Sequence, residues 1–263
     1  VDLIESKSKK SEQRHPWELA RYEVMRSLLN KTFKGEMPKQ IWDVGCGDTY
    51  FVERLAGELP QSQLKAIDIA FTSELLAHYR AEMSQPNVEI FKAVDDIQGV
   101  EQVDLIYLMD VIEHIEDDLG FLEWLQRFPA INEKTYFFIT VPAFQSLFCS
   151  HDRYLLHYRR YDNQSLRETV EKVGLEVHDI GYFFSSLLLP RQLQVWKEKK
   201  QEQKGELEDT TGLVEWSAGN FKTQLIKNVL LADYRFGQFF KSMGLKLPGL
   251  SNYVICSPKA ASL

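Results

Sequence analysis

The residues best suited to hold a ligand sit around two glycines. Gly45 and Gly47, with Cys46 between them, follow the apolar run 41–44. A loop with so little side chain lets a ligand lie against backbone at the mouth of a sheet. Asp68 comes near the end of the next apolar run, 64–69, with Ile69 beside it. An acid about 20 positions after a glycine loop is the usual partner for ribose hydroxyls. The pattern implies a nucleoside-containing cofactor held by Gly45, Cys46, Gly47, Asp68 and Ile69.

Spacing decides between cofactors. A dinucleotide fingerprint has a third glycine three residues after the second, so that helix and strand pack closely under a pyrophosphate. Tyr50 stands at that position and opposes such packing. Asp43 lies two residues before the first glycine. A carboxylate there can receive a cationic group, directly or through water. S-adenosylmethionine (SAM) has no phosphate; it carries an ammonium, a sulfonium and a ribose, which suits acids near the loop.

Further along, Met109 and Asp110 end an apolar run. Ligands of open α/β sheets sit at the carboxyl ends of strands, so both are candidate cofactor neighbours. Glu113 and His114 follow one turn later. His114 reads either as a base or hydrogen-bond partner for an acceptor, or as a histidine satisfied by packing. The stretch 150–161 gathers His151, Asp152, Arg153, His157, Arg159, Arg160 and Tyr161. Arginines clamp carboxylates and phosphates in bidentate fashion. Asp152, Arg159, Arg160 and Tyr161 are therefore candidate substrate-binding residues, and His151 and His157 candidate bases beside His114. The alternative is a self-contained network, with Asp152 paired to an arginine and Tyr161 capping the next helix. Adjacent side chains diverge and clustered ligands are few, so no metal site is expected at His151, Asp152 and His157.

These residues need an alternating scaffold. Apolar periodicity predicts a helix over 15–32, entered through Pro16, which serves either as a lid carrying Trp17 and Tyr22 or as core packing. Strands over 40–44, 63–69, 88–93, 103–109 and 135–141 alternate with helices over 50–58, 73–83 and 117–128. Such alternation implies right-handed crossovers and a parallel sheet covered on both faces. A helix over 163–173, ended by Gly174, leads to a sixth strand over 175–184. After it come an apolar stretch with Pro190 and Arg191, a charge run over 197–210 read as a solvated loop, a helix over 221–243 and a last strand over 252–257. Residues 1–14 read as a flexible N-terminus. Residues 15–263 read as one domain with an N-terminal helix and an inserted segment at about 185–250.

Composition narrows the classes. Of 263 residues, 44% are hydrophobic, which supports a sizeable core. A net charge of −7 argues against a broad nucleic-acid surface, as does the lack of an Asn/Asp-Pro-Pro-Tyr/Phe motif after the fourth strand. Cys46, Cys149 and Cys256 are too scattered for a disulfide framework or zinc site and suit a reducing cytoplasm. No apolar stretch reaches the roughly 18 residues that span a bilayer. The apolar stretch 183–189 with Arg191 leaves peripheral membrane contact or an acceptor site open beside plain burial. Oligomeric state is not legible.

Together the motifs resemble class I SAM-dependent methyltransferases: DVGCG at 43–47, the acid of AIDIA at Asp68, and DLIYLMDVIEHIEDD at 104–118. Two further stretches, TVPAFQSLFCSHDRYLLHYRRY at 140–161 and LPGLSNYVICSPK at 247–259, are similar to a bacterial branch carrying VPA, H-D and H-x-R-R-Y. The resemblance implies an α/β, Rossmann-like, doubly wound seven-stranded sheet, mostly parallel with its last strand antiparallel. It implies SAM as methyl donor and S-adenosylhomocysteine (SAH) as product. It places Asp43 near the methionine end, Asp68 on the ribose, and Asp95 or Asp96 at the adenine amino group. The resemblance does not name the acceptor; the acceptor expected is a small molecule such as a hydroxylated sugar, a lipid-linked intermediate or a quinone-like compound. Rival readings are a nicotinamide-dependent oxidoreductase, opposed by Tyr50, and a non-catalytic cofactor-binding protein, opposed by the intact loop and acids. Asp68→Ala is expected to weaken SAM binding sharply; unchanged affinity by calorimetry would remove Asp68 from the ribose.

Overall fold

Runs of Val, Ile, Leu and aromatic residues without a polar face form strands buried on both sides. The computed structural model describes residues 14–204 and 216–260. Its strands are β1 (Gln40–Val44), β2 (Gln63–Ile67), β3 (Val88–Phe91), β4 (Leu105–Met109), β5 (Tyr136–Pro142), β6 (Leu175–Phe183) and β7 (Ser251–Pro258). They form one sheet in the order β3-β2-β1-β4-β5-β7-β6. β1 pairs in parallel with β2 and β4, β2 with β3, and β4 with β5. β7 runs antiparallel between β5 and β6, so the last strand is the reversed one, as expected.

The helices are α1 (Pro16–Phe33), α2 (Tyr50–Glu58), α3 (Ser73–Glu82), α4 (Asp118–Gln126), α5 (Ser150–Tyr154), α6 (Asn163–Lys172), α7 (Leu188–Gln203) and α8 (Gly219–Ser242). Local chemistry sets their starts. Pro16 opens α1, and the His15 ring accepts from the Trp17 N–H. Thr72 caps α3 and Asp117 caps α4. Asp162 and Ser165 cap α6 reciprocally.

Side chains alternate across the sheet with the period of two that a strand imposes. Leu105, Tyr107 and Met109 of β4 join the core under α1 and α2, with Met25, Leu28, Val52 and Leu55. Ile106 and Leu108 join the opposite core under α4 and α6, with Leu122, Leu125, Leu166 and Val170. Between β6 and β7, α8 lies along α1 and buries Leu230 and Tyr234 in the first core. Lys31 and Lys241 both pair with Asp179 of β6. No described helix is long and apolar enough to cross a membrane.

Three expectations need correction or placing. The charge run does not begin as a loop: α7 continues to Gln203. Its Lys, Glu and Gln residues are good helix formers, and Pro190 falls in the first turn, where it costs no intrahelical bond. Tyr161 does not cap α6; Asp162 does, and the Tyr161 hydroxyl donates to Asp118 at the start of α4, 2.6 Å away. The expected flexible N-terminus lies, but for Arg14, outside the described residues.

The turn into β7 is tight. A Cβ on Gly249 would stand 2.3 Å from the Phe183 carbonyl oxygen and 2.9 Å from its nitrogen, and backbone cannot swing aside. Gly249→Ala is expected to lower stability by about 1–3 kcal/mol in chemical denaturation; an unchanged midpoint would show that the β6–β7 end yields freely.

Candidate active site

The carboxyl ends of the parallel strands open into one cavity of about 1240 Å3. A pocket for one small ligand takes about 300–1,000 Å3, so two ligands fit side by side. Gly45 and Gly47 line one end with φ of 79° and 61°, in the left-handed region. Gly45 must be glycine, since a Cβ would meet Val111 Cγ2 at 2.5 Å. The Gly45 and Cys46 N–H groups donate to the Ile67 carbonyl at 2.8 and 3.1 Å and tie the loop to the end of β2. The Gly47 and Ala70 N–H groups each donate to Asp68, at 2.9 Å, fixing its carboxylate on the cavity wall. Ile69 stands beside it, 82% exposed, as an apolar contact for a ring.

Asp95 lines the cavity, whereas the Asp96 carboxylate turns back to accept from the Ala93 N–H at 3.1 Å. Geometry thus separates two acids that spacing could not. Met109 and Asp110 line the cavity at the end of β4. Asp110 pairs with Arg21 and accepts from Thr140 Oγ1 at 3.1 Å. Arg21 in turn lies 4.3 Å over the Trp17 ring. α1 packs Tyr22 into the core, while its Trp17 and Arg21, with His15 before it, wall the cavity. No motif marks Arg21; a cation inside an apolar helical stripe was the available signal.

Asp43 and Cys46 lie behind the loop and do not line the cavity. Burial pushes the Cys46 thiol well up. Both Asp43 carboxylate oxygens are buried without a hydrogen-bond partner. Burial pushes this carboxyl up to about 7, against the opposing pull of the Arg21 charge.

The other end of the cavity carries His114, His151, His157 and Arg160. Asp152 sits behind them, wholly buried. It accepts from Arg160 Nε at 2.8 Å and Nη2 at 3.0 Å, from the Cys149 N–H at 2.9 Å and from His157 Nδ1 at 2.9 Å. Burial alone would raise this carboxyl; the His157 hydrogen bond and the Arg160 guanidinium outweigh it and hold the group well below the ordinary range. His151 is pushed down to about 4, by burial first and then by the Arg191 charge. The His114 and His157 rings meet edge to face, centroids 4.5 Å apart. Arg159 and Tyr161 do not line the cavity; both hold Asp118, and Arg159 also reaches the Glu116 carbonyl. Arg191, Pro190 and Gln194 of α7 complete the wall, from a segment where spacing had left burial and acceptor contact open.

An open α/β sheet with a large cavity at its strand ends defines a ligand-binding protein of the doubly wound class. Residues 17–180, more than half of the chain, match the methyltransferase domain family, and the chain belongs to that family. Solved structures share the fold. The plantazolicin methyltransferase BpumL, in complex with a monoazolic desmethylPZN analog and SAH, is 15% identical. That match covers 93% of this chain and 85% of the other, with a TM-score of 0.53. A putative sarcosine dimethylglycine methyltransferase from Galdieria sulphuraria is 14% identical over 91% of this chain and 85% of its own, with a TM-score of 0.55. Phosphoethanolamine N-methyltransferase 2 of Haemonchus contortus is 15% identical over 90% and 53%, with a TM-score of 0.52. No curated protein matches the chain in sequence.

Asp43 gives a pH signature. Its carboxyl keeps a proton in the fold up to about pH 7, whereas an exposed aspartate ionises near pH ~4. Between those values the unfolded chain releases a proton that the folded chain retains. Asp43 therefore makes stability fall as pH rises from about 4 to about 7 and adds no slope above. Asp43→Asn is expected to remove this contribution in urea unfolding across that window; an identical pH profile would show the Asp43 carboxylate satisfied in solution.

Proposed function

We propose that this methyltransferase uses SAM as donor and methylates a small-molecule acceptor held beneath the histidines. The observation that carries the reading is the single cavity running from Gly45, Gly47 and Asp68 to His114, His151 and His157. SAM suits the first end. Gly45 has no room for a side chain beside Val111, Asp68 offers carboxylate to ribose hydroxyls, and Asp95 on the same wall offers an acceptor for an adenine amino group. The orphaned Asp43 carboxylate favours a cationic ligand near the loop. Neighbours of the same fold carry SAH, which agrees. When bound, SAM supplies a methyl group on a sulfonium, open to in-line attack by an acceptor nucleophile.

The chain's own residues position the acceptor and handle its proton. Asp152 accepts from His157 Nδ1, which sets the tautomer and leaves Nε2 unprotonated, and the base that takes a proton from an acceptor hydroxyl is His151. His114 packs edge-on against His157, and His151, kept neutral near pH 7 by burial, stands on the same wall. Arg160 and Arg191 give this end cationic character for an anionic group on the acceptor. Residues 15–263 act as one catalytic domain, and the segment 185–250 is the insertion that recognises the acceptor. α7 walls the cavity with Arg191 and Gln194 while exposing Leu189, Leu193 and Trp196. Among sugar, lipid-linked and quinone-like acceptors, that apolar face favours a lipid-linked one.

The test is turnover of SAM across an acceptor library, read by SAH release, with donor affinity measured separately. His151→Ala is expected to lower kcat by about 10²–10⁴-fold, the span of a general base, at unchanged SAM affinity. Binding of a nicotinamide dinucleotide in place of SAM would overturn the reading.

A further inference from the structure

We propose that Glu113, His114 and His157 form a binding site for one divalent transition metal ion of the zinc type in the cavity wall. Each residue offers a ligand atom, and these atoms lie within 4.8 Å of one another. Zinc bonds of about 2.0–2.1 Å put tetrahedral ligands roughly 3.4 Å apart. A side-chain rotation on the order of 1 Å closes the set. Two imidazoles and one carboxylate, with a fourth position open, are the donor set of catalytic zinc sites. Magnesium and calcium prefer all-oxygen surroundings.

Two observations independent of that spacing point to a cation. Glu113 is fully buried, its carboxylate oxygens have no hydrogen-bond partner, and it borders the cavity. A buried carboxyl left without a partner costs free energy, and a coordinated cation supplies what it lacks. The nearby cations do not meet the need, since Arg21 is paired with Asp110 and Arg160 with Asp152.

The second observation is the support behind His157. Its Nδ1 bonds to Asp152, which is anchored by Arg160 and by the Cys149 N–H. A carboxylate behind one ring nitrogen is how proteins orient a histidine whose other nitrogen binds metal. The Tyr158 N–H donates to the Glu113 carbonyl at 2.8 Å and locks the two segments side by side. Adjacency in sequence argued against His151, Asp152 and His157 as ligands; the fold instead brings His157 to residues more than forty positions away.

The ligand set carries one negative charge, so a divalent ion leaves one positive charge facing the cavity. An ionised acceptor oxygen would balance it. This consequence rests on the acceptor reading above; the ion site itself does not.

The experiment is calorimetric titration of tag-free, chelator-treated full chain with Zn2+ alone. Co2+ loading with visible absorption reports imidazole coordination. One ion per chain is expected. Affinity should fall at least about tenfold in Glu113→Gln and in His157→Ala, and about 10–100-fold in Asp152→Asn, the usual loss when a carboxylate supporting a ligand is removed. SAM affinity measured on the same samples shows that each variant is folded, and wild-type Co2+ absorption stands without any variant. Absence of stoichiometric binding, or equal affinity in folded Glu113→Gln and His157→Ala, would overturn the site. Intact SAM binding with no Zn2+ binding would sink this inference and leave the methyltransferase reading intact; metal binding without SAM binding would do the reverse.

Discussion

The far wall of the cavity depends on the buried charge of Asp152. Removing a carboxylate from water costs several kcal/mol, and the cost is offset only when every lone pair finds a donor. Here the donors come from three places: the Cys149 N–H before α5, the His157 ring beyond it, and the Arg160 guanidinium. Arg160 also donates to the Ala143 carbonyl just past β5, at 3.1 Å. One carboxylate thus fastens a short helix, a histidine and an arginine to the end of a central strand. Removing one partner of such a pair costs about 3–5 kcal/mol, because the other charge stays buried. Arg191 of α7 approaches the same carboxylate at 3.9 Å, so the segment between β6 and β7 is positioned by it too.

Buried acids elsewhere behave in the opposite way, and the contrast separates scaffold from site. Asp152 is fully bonded and held ionised. Asp43 and Glu113 have no hydrogen-bond partners on their carboxylate oxygens, and burial raises both. Native structures rarely leave such groups unsatisfied without a reason, and a missing ligand or ion is among the usual ones. Asp43 lies behind the glycine loop and Glu113 lies under the histidines. Of the two orphaned acids, Glu113 borders the cavity and Asp43 lies behind its wall.

Much of this was legible in the sequence because it is local. The strands announce themselves as short apolar runs, and the Gly45–Gly47 turn and Asp68 follow from spacing along consecutive elements. Asp95 and Asp96 could not be separated, since a three-residue turn (Val94–Asp96) decides which one faces outward. The role of Tyr161 was misread because its partner, Asp118, sits across the sheet's covering layer rather than in the next turn. α7 was misread because a run of Lys and Glu is equally good surface loop and exposed helix; along its length only Val195 is buried. The pairing of His157 with Glu113 and His114 is a contact between loops after different strands, and no local period encodes that.

The backbone itself marks the strand ends as the working edge. Asp110, Phe144 and Phe184 each follow a strand and each has positive φ, of 55°, 63° and 65°. A residue with a Cβ pays about 1–2 kcal/mol there, so neighbours must hold it. Asp110 is held by Arg21 and Thr140. Phe144 stacks on Tyr182 and donates its N–H to the Tyr161 carbonyl at 2.9 Å. Phe184 is buried against Phe183, and its carbonyl accepts from the Leu250 N–H. Strain held in place by surrounding contacts is common where side chains are aimed at a ligand. Here it recurs after β4, β5 and β6, where the chain must leave the sheet sharply. Asp110 lines the cavity itself, while the turns at Phe144 and Phe184 lead into the segments carrying Arg160 and Arg191. The sheet supplies rigidity, and the strained turns convert that rigidity into direction.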